Sequence, residues 1–152
     1  MVQGEPVIIL LYVDDLLVTG VEHQILECKK HLATEFDMKD LGIMHYYLGL
    51  EVWQKSREIY LGQGKYVIKI LQKFGMMDSK PMMTVMTTNL KKLRSSKSSP
   101  VDHTCYRQLI GSLMYLVNTR PNIRFVVNVL SQFQMEPKHD HLIAAKHILR
   151  YL

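Results

Sequence analysis

The sequence predicts an α+β fold in which paired strands come first and helices follow. Three observations indicate this class. Residues 7–13 are an uninterrupted run of seven apolar side chains, residues 46–52 and 58–61 flank a polar turn, and apolar residues recur at helical spacing in several other segments. A chain of 152 residues is about the length of one domain.

The composition is that of a globular protein. Hydrophobic residues make up 47% of the chain and charged residues 22%, which is unlike the low hydrophobicity of disordered chains. The apolar run at 7–13 is shorter than the roughly 20 residues of a membrane-spanning helix, so we expect no membrane span and no membrane partner. The first six residues carry an acid and no base, unlike a signal peptide. We therefore expect an intracellular protein.

Charge is divided unevenly along the chain. Residues 1–60 carry ten acids and five bases, a net charge of −5, whereas residues 61–152 carry 14 bases and four acids, a net charge of +10. A basic C-terminal part attracts polyanions such as nucleic acids. Solubilising helix faces would give the same asymmetry, so charge alone leaves both interpretations open.

The first predicted elements are a hairpin and a helix. The run Val7 to Val13 fits a strand buried on both faces, and Leu16 to Thr19 fits its antiparallel partner across a tight turn at Asp14 and Asp15. An amphipathic helix should then cover residues 21–36. Its apolar positions are Val21, Ile25, Cys28, Leu32 and Phe36.

A second hairpin and four helices are predicted next. Strands at 46–52 and 58–61 flank the turn QKSR. A helix should run from Tyr66 to Phe74 and end at Gly75 in a left-handed cap. Residues 89–104 are rich in Ser and Lys and predict a linker. Three further helices are expected at Tyr106 to Asn118, Pro121 to Phe133 and Leu142 to Leu152.

Three lysines recur every four residues on the first of these helices, opposite its apolar side: Lys65, Lys69 and Lys73. Four residues span about 6 Å along a helix axis, so the three ammonium groups could contact successive phosphates of a nucleic acid. A merely solvated helix face explains the spacing equally well.

Asp14 and Asp15 bring two adjacent carboxylates to the tip of the first hairpin. Neighbouring carboxylates repel each other by about 1 kcal/mol at 4 Å in water and about 4 kcal/mol at an intermediate dielectric. Solvent exposure in an ordinary turn would compensate for this repulsion. Binding of a divalent cation is the functional alternative, because hard oxygen ligands on a stiff support suit Mg²⁺.

Four ordered segments resemble the reverse transcriptase part of copia-type retrotransposon Pol polyproteins. They are LLYVDDLLVTG, FDMKDLG with HYYLGLEV, YRQLIGSLMYLVNTRPNI and the terminal AAKHILRYL. The resemblance covers nearly all of the chain. It implies a partial polymerase palm at 1–62, a thumb helix and extended segment at 63–88, the linker at 89–104 and a helical thumb and connection region at 105–152.

The resemblance also implies the chemistry of an RNA-directed DNA polymerase, which is a nucleotidyltransferase. Asp14 and Asp15 match the family's paired catalytic aspartates, which bind Mg²⁺, and Asp14 matches the direct ligand. Tyr12 and Val13 match residues that adjoin the primer end and the nascent base pair.

A second implied site is the hairpin that positions the primer strand, which Leu48, Gly49 and Leu50 match. A glycine there would let the backbone approach the primer closely, since no Cβ intervenes. Taken by itself, Gly49 is explained equally well as an ordinary bulge glycine.

The implied partners are an RNA or DNA template-primer and a dNTP, with upstream palm and fingers segments and a downstream ribonuclease H segment of the same polyprotein. The family's metal site uses a third carboxylate from an upstream strand, and Glu5 is the only acid before Asp14. We therefore expect weak Mg²⁺ binding and no polymerase activity from this chain alone. Without covering segments, the strand at 7–13 should aggregate or recruit a partner.

Two other signals are rejected. GQGK at 62–65 resembles a phosphate-binding loop but lacks the first glycine and the Ser or Thr of that motif. His139, His141 and His147 lack the i, i+4 spacing of a helical zinc pair, so we expect them to be solvated.

Three interpretations follow. The first is a fragment of a retrotransposon reverse transcriptase that is inactive alone. The second is a non-catalytic nucleic-acid-binding module derived from such an element, which would use the basic C-terminal region. The third is a protein-interaction piece that completes its sheet with another chain.

Overall fold

The computed structural model describes residues 6–86 and 90–152, in two compact units, Met1–Met44 and His45–Leu152. The α+β class is confirmed, since the described residues form two small antiparallel sheets and six α-helices. In chain order the elements are β1 (Ile8–Tyr12), β2 (Asp15–Thr19), α1 (Glu22–Glu35), β3 (Tyr46–Tyr47), β4 (Leu50–Lys55), β5 (Glu58–Gly62), α2 (Gly64–Lys73), α3 (Leu90–Arg94), α4 (His103–Leu116), a 3-10 turn (Pro121–Ile123), α5 (Arg124–Ser131) and α6 (His139–Tyr151).

The first unit contains the predicted hairpin, but its apolar strand is exposed. In the part of the chain that the structure describes, β1 pairs only with β2, and its side chains are 47–72% exposed. The prediction of a strand buried on both faces is wrong, because among the described residues β2 is the only strand that pairs with β1 and the side chains of β1 remain exposed. The turn also lies one residue earlier than predicted, at Val13 and Asp14, and Asp15 begins β2.

α1 agrees with the predicted helix to within one residue at each end. The segment that follows is tied back to it by Asp40, whose carboxylate lies 2.9 Å from Lys29 Nζ and accepts the Gly42 backbone N–H at 2.9 Å. The Gly42 hydrogen bond, followed by the Lys29 contact, holds the pKa of Asp40 below its ordinary value. The motif FDMKDLG is therefore a local connection that fastens onto α1.

The sheet of the second unit has the order β3-β4-β5. The β4–β5 turn lies within the predicted QKSR segment. Residues 46–52 were predicted as one strand, but a tight turn at Leu48 and Gly49 divides them, so that Tyr47 pairs with Leu50. The predicted strand is therefore itself a hairpin.

α2 confirms the predicted helix and its glycine cap. Gly75 has φ +63°, and its N–H donates to Gln72 O at 3.1 Å while the N–H of Met76 donates to Leu71 O at 2.8 Å. These two bonds make a Schellman motif, in which the left-handed residue is usually glycine.

The core of the second unit is built by α2 and the helices that follow it, and α4, α5 and α6 confirm the three predicted C-terminal helices. The Tyr106 hydroxyl is buried in this core and donates to Leu130 O at 2.9 Å, and burial raises the pKa of Tyr106. Asp102 is the N-cap of α4, and its carboxylate accepts the N–H groups of Thr104 and Cys105. These bonds lower the pKa of Asp102, with Thr104 the larger cause.

The segment predicted to be a linker is more ordered than expected. It contains α3, and Leu93 of that helix is fully buried in the core. Ser96 Oγ then donates to the Asp140 carboxylate at 2.7 Å, and Pro100 forms an isolated β-bridge with Lys138. Residues 90–104 are therefore held against the start of α6.

Two of the three histidines predicted to be solvated are buried. His141 is 2% exposed, accepts the Lys138 N–H at Nδ1 and lies 3.0 Å from Leu93 O through Nε2. His147 is 8% exposed, with Nε2 2.7 Å from Thr84 O. Both rings bond to carbonyls of distant segments, so their burial has a structural explanation. Within the described ranges, no helix has the length and apolarity to cross a membrane.

Candidate functional site

The tip of the β1–β2 hairpin is a two-residue loop of Val13 and Asp14. Val13 has φ +53°, whereas Asp14 does not have a positive φ. A positive φ at the first central residue and a negative φ at the second is the pattern of a type II′ turn. That turn prefers glycine at its first central position, and a β-branched residue there is strained. Val13 is therefore a conformationally strained residue at the tip of the hairpin, and its side chain is 78% exposed.

The two carboxylates at this tip are not equivalent. Asp14 belongs to the loop, whereas Asp15 lies in the strand ladder directly opposite Tyr12 and shares its face. Both aspartates are exposed, and within the described ranges neither forms an ion pair or hydrogen bond with another side chain. Solvation thus compensates for their mutual repulsion, and both can accept a ligand.

Asp14 and Asp15 supply two hard oxygen donors on one support, and oxygen donors are the ligands that Mg²⁺ prefers. Among the residues that the structure describes, no group of three or more His, Cys, Asp or Glu side chains could hold a metal ion. The carboxylate pair thus lacks a third ligand of these types within the described residues.

The β3–β4 turn is a second candidate element. Leu48 has φ +49° and Gly49 φ +83°, so both central residues are left-handed, as a type I′ turn requires. The Tyr115 hydroxyl on α4 donates to Leu48 O, and the Tyr115 ring packs edge-on against Tyr66 with centroids 4.8 Å apart. The turn is therefore fixed onto the helical core.

Gly49 has a structural reason that does not involve a primer. A Cβ at this position would lie 2.6 Å from the Tyr115 hydroxyl oxygen, and φ +83° is itself unfavourable for any residue with a Cβ. The turn and the packing of Tyr115 are sufficient to favour a glycine at this position. A bulge was the structural explanation expected from the sequence, and the observed feature is instead a tight turn.

Lys65 is the stripe lysine that meets this hairpin. Its backbone N–H donates to the Glu51 carboxylate at 3.0 Å, and its Nζ lies 5.6 Å from the centre of the Tyr46 ring. Glu51 thus supplies an acceptor and a negative charge at the N-terminus of α2. The Glu51 carboxylate is bound to the last N–H group of the GQGK segment. This agrees with the interpretation that GQGK is not a phosphate-binding loop.

Lys69 and Lys73 continue along the same helix. Both are exposed, as Lys65 is, while Val67 and Ile70 on the other side of α2 are buried. The three lysines therefore form one solvent-facing stripe with the predicted spacing.

Sequence reasoning missed Tyr115 and Glu51. Tyr115 lies within the quoted segment YRQLIGSLMYLVNTRPNI, but its apolar surroundings indicate only a core position. Neither residue follows a motif that predicts its partner, since Leu48 is 67 residues away from Tyr115 and Lys65 is 14 residues away from Glu51. The Tyr115 contact depends on how α4 packs against the β3–β4 turn, and the Glu51 contact depends on how β4 packs against α2.

Comparison with known proteins gives a match to the family model described as reverse transcriptase (RNA-dependent DNA polymerase), over residues 2–88. The chain belongs to the reverse transcriptase family. Its relatives there include Pol polyproteins of copia-like transposons, as the sequence motifs predicted.

Three relatives illustrate the similarity. The retrovirus-related Pol polyprotein from transposon RE1 of Arabidopsis thaliana is 40% identical over 147 residues, covering 96% of this chain and 10% of that protein. That from transposon TNT 1-94 of Nicotiana tabacum is 38% identical over 156 residues, covering 96% of this chain and 12% of that protein. An uncharacterized mitochondrial protein of Arabidopsis thaliana is 39% identical over 145 residues, covering 95% of this chain and 60% of that protein.

The chain spans about a tenth of the length of the Pol polyproteins it matches. No solved structure matches it at a significant level.

Proposed function

We propose that this chain is a palm and thumb fragment of an RNA-directed DNA polymerase and carries the hairpin that binds the catalytic metal. The observation that carries the proposal is the hairpin tip, where Asp14 and Asp15 are exposed side by side within the region matched by the family. A generic solvated turn accounts for the exposure but not for the strained Val13 beside it.

In this proposal Asp14 and Asp15 hold Mg²⁺, with Asp14 as the direct ligand. When bound, the metal supplies activation of an attacking hydroxyl and stabilisation of the leaving phosphate oxygen in two-metal nucleotidyl transfer. Tyr12 shares the face of Asp15 and would adjoin the primer end, while Val13 would adjoin the nascent base pair.

The primer strand would contact the β3–β4 turn at Leu48, Gly49 and Leu50. Tyr115 supports this function indirectly, because it anchors the turn and so restricts the positions of the backbone groups that a primer would meet. The lysine stripe on α2 begins beside the same hairpin, at Lys65, and would contact backbone phosphates through Lys69 and Lys73 as well.

The fragment is proposed to be inactive alone, because two carboxylates position a divalent cation poorly. Its partners would be template-primer and dNTP, and polyprotein segments that supply the rest of the palm, the fingers and a ribonuclease H part. The same proposal divides the chain into palm (1–62), thumb (63–88), linker (89–104) and thumb with connection (105–152).

Primer extension tests inactivity. The purified 152-residue chain is incubated with primed RNA, dNTPs and Mg²⁺, beside a complete reverse transcriptase as positive control. We expect no extension. Robust magnesium-dependent extension by the chain would overturn the claim that two carboxylates are insufficient.

A second candidate function is a non-catalytic nucleic-acid-binding module, favoured by the solvent-facing lysine stripe. Magnesium titration by calorimetry separates the two, because a polymerase hairpin should lose metal binding in Asp14→Asn but not in Asp78→Asn, an exposed acid outside the hairpin. Equal binding by both variants would favour the module.

A further inference from the structure

Three aromatic rings lie on one face of the three-stranded sheet, which we call the aromatic face: Tyr46, Trp53 and Tyr60. Trp53 pairs directly with Tyr60 across β4 and β5, and Tyr46 pairs with Glu51, two residues before Trp53 on the same side. Their exposed fractions are 50%, 51% and 47%. Large aromatic side chains exposed together indicate an interaction surface.

The central ring is supported from below. A Cβ on Gly62 would lie 2.8 Å from Trp53 Cζ3 and 3.2 Å from its Cη2, so the six-membered end of the indole lies over the backbone of β5 where a side chain is missing. The ring is thus held by the strand, and half of its surface remains exposed.

A lysine ammonium group flanks the aromatic face on each side of Trp53. Lys65 Nζ lies 5.6 Å from the Tyr46 ring centre, and Lys55 Nζ lies 5.2 Å from the Tyr60 ring centre. Both distances are within the range of a cation–π contact. Each ammonium group is therefore held near a ring while remaining able to meet an anion.

Two carboxylates share this face, and both have internal partners. Glu51 accepts the Lys65 backbone N–H, and Glu58 accepts the Tyr60 hydroxyl at 2.5 Å. That bond raises the pKa of Tyr60. Both carboxylates keep their negative charge, so the aromatic face has no net charge, and its two ammonium groups lie at the rim rather than over the central ring.

We propose that the aromatic face binds single-stranded nucleic acid, with an unpaired base stacked on Trp53 and neighbouring phosphates near Lys55 and Lys65. Aromatic rings interleaved with lysines bind single strands, because every base has a stacking face and every linkage a charge. Duplex bases are already stacked on each other, so the duplex is the poorer ligand. The inference rests on the proposed function only in taking nucleic acid as the ligand, and it requires neither metal nor catalysis.

Trp53 is the only tryptophan in the chain, so its fluorescence reports directly on the proposed site. The probe is oligodeoxythymidylate of about 12 nucleotides, a length within the usual site sizes of single-strand binding folds. We expect saturable quenching of the emission of the unmodified chain. Measured by anisotropy of a labelled oligonucleotide, Trp53→Ala should weaken binding about tenfold, and Trp53→Phe should retain most of it.

The matched control is Ile59→Ala, since Ile59 is 68% exposed on the opposite face of the same sheet. It should leave affinity unchanged. Circular dichroism checks the fold of each variant, and the quenching experiment needs no variant at all.

Absence of quenching, or an unchanged affinity in folded Trp53→Ala, would overturn the proposal. A blue shift of Trp53 emission that grows with protein concentration in the absence of DNA would also overturn it, in favour of a second copy of the chain on this face. If oligonucleotide quenches Trp53 but Asp14→Asn leaves metal binding intact, the polymerase proposal fails and this inference stands. The reverse pattern removes this inference alone.

Discussion

The Tyr115 hydroxyl on α4 donates a hydrogen bond to the backbone carbonyl of Leu48, 67 residues earlier in the chain. This contact joins the β3–β4 turn to the helical core of the second unit. It also occupies the space that a side chain at residue 49 would need. A hairpin proposed to position a primer is therefore held by a residue from the C-terminal helices.

Removing that hydroxyl should loosen the turn. We expect Tyr115→Phe to lower the free energy of unfolding by about 1 kcal/mol, the usual net contribution of one hydrogen bond. Hydrogen exchange at residues 48–50 should accelerate more than exchange in α4. The control is Tyr46→Phe, which removes the hydroxyl of an exposed tyrosine on β3. Equal effects of the two variants would contradict an anchoring role for Tyr115.

Gly49→Ala should be more destabilising than another glycine substitution at positive φ. Both Gly49 and Gly75 are left-handed, at φ +83° and +63°, but only Gly49 has an atom within 4 Å of the added Cβ. We expect a cost of about 1 kcal/mol for Gly75→Ala from backbone strain and about 1 kcal/mol more for Gly49→Ala from the displaced Tyr115.

Urea unfolding of both variants measures the difference between these costs. In a Tyr115→Ala background the extra cost at Gly49 should vanish. If it persists, the close approach of Tyr115 is not its cause.

Val13→Gly should stabilise the β1–β2 hairpin. Relief of a left-handed β-branched residue is worth about 1–2 kcal/mol, and the added chain entropy of glycine removes about 0.5–1 kcal/mol of that. Amide hydrogen exchange in β1 and β2 should therefore slow. Val18→Gly, within β2, should accelerate it. If amide exchange in Val13→Gly is no slower than in the unmodified chain, Val13 is not strained in solution.

The Asp40 contacts predict a pH dependence in the first unit. The Gly42 N–H and Lys29 hold the pKa of Asp40 below its ordinary value of 3.8. The stabilisation is therefore complete above the pKa of the unfolded chain and is lost as the pH falls through the lower folded value. In urea unfolding followed at α1, the free energy of unfolding of Asp40→Asn should be lower than that of the unmodified chain at neutral pH. The two free energies should be equal at about pH 2.

Asp37→Asn is the control for this titration, since Asp37 is an exposed acid in the same segment. It should match the unmodified chain at neutral pH. A destabilisation by Asp40→Asn that is the same at every pH would assign the effect to the side chain's shape rather than its charge.

The lysine stripe predicts a salt dependence. Replacing Lys65, Lys69 and Lys73 by glutamine should weaken template-primer binding. A plot of the logarithm of the binding constant against the logarithm of salt concentration should become less steep by about 3, since each phosphate contact contributes about 0.9. The control removes three exposed lysines that do not share a helix face: Lys30, Lys39 and Lys97. An unchanged slope in the stripe variant would refute phosphate contact.

The sequence was informative where a pattern is local. The helix periodicities, the cap at Gly75 and the two-strand pairings depend on neighbouring residues, and the structure agrees with them. It was also sufficient to recognise the family, because the motif around Asp14 and Asp15 is specific in its context.

Sequence-based prediction failed where the burial of a residue depends on a partner that is distant in the chain. His141 and His147 are polar by composition, yet both are buried because Leu93 O and Thr84 O lie within hydrogen-bonding distance. Leu93 itself lies in a segment whose Ser and Lys content indicates a linker. The apolar composition of β1 predicts burial, but only a covering layer can provide it, and none covers β1 in the described residues.

The central claim is that the hairpin tip binds a divalent cation. Manganese, which accepts the same oxygen ligands as magnesium, broadens NMR signals near its site, so titration of the labelled chain locates it. We predict broadening centred on the amide signals of residues 13–16, absent in Asp14→Asn and retained in Asp78→Asn. Broadening centred elsewhere, or unchanged in Asp14→Asn, would contradict the assignment of this hairpin as a metal-binding element.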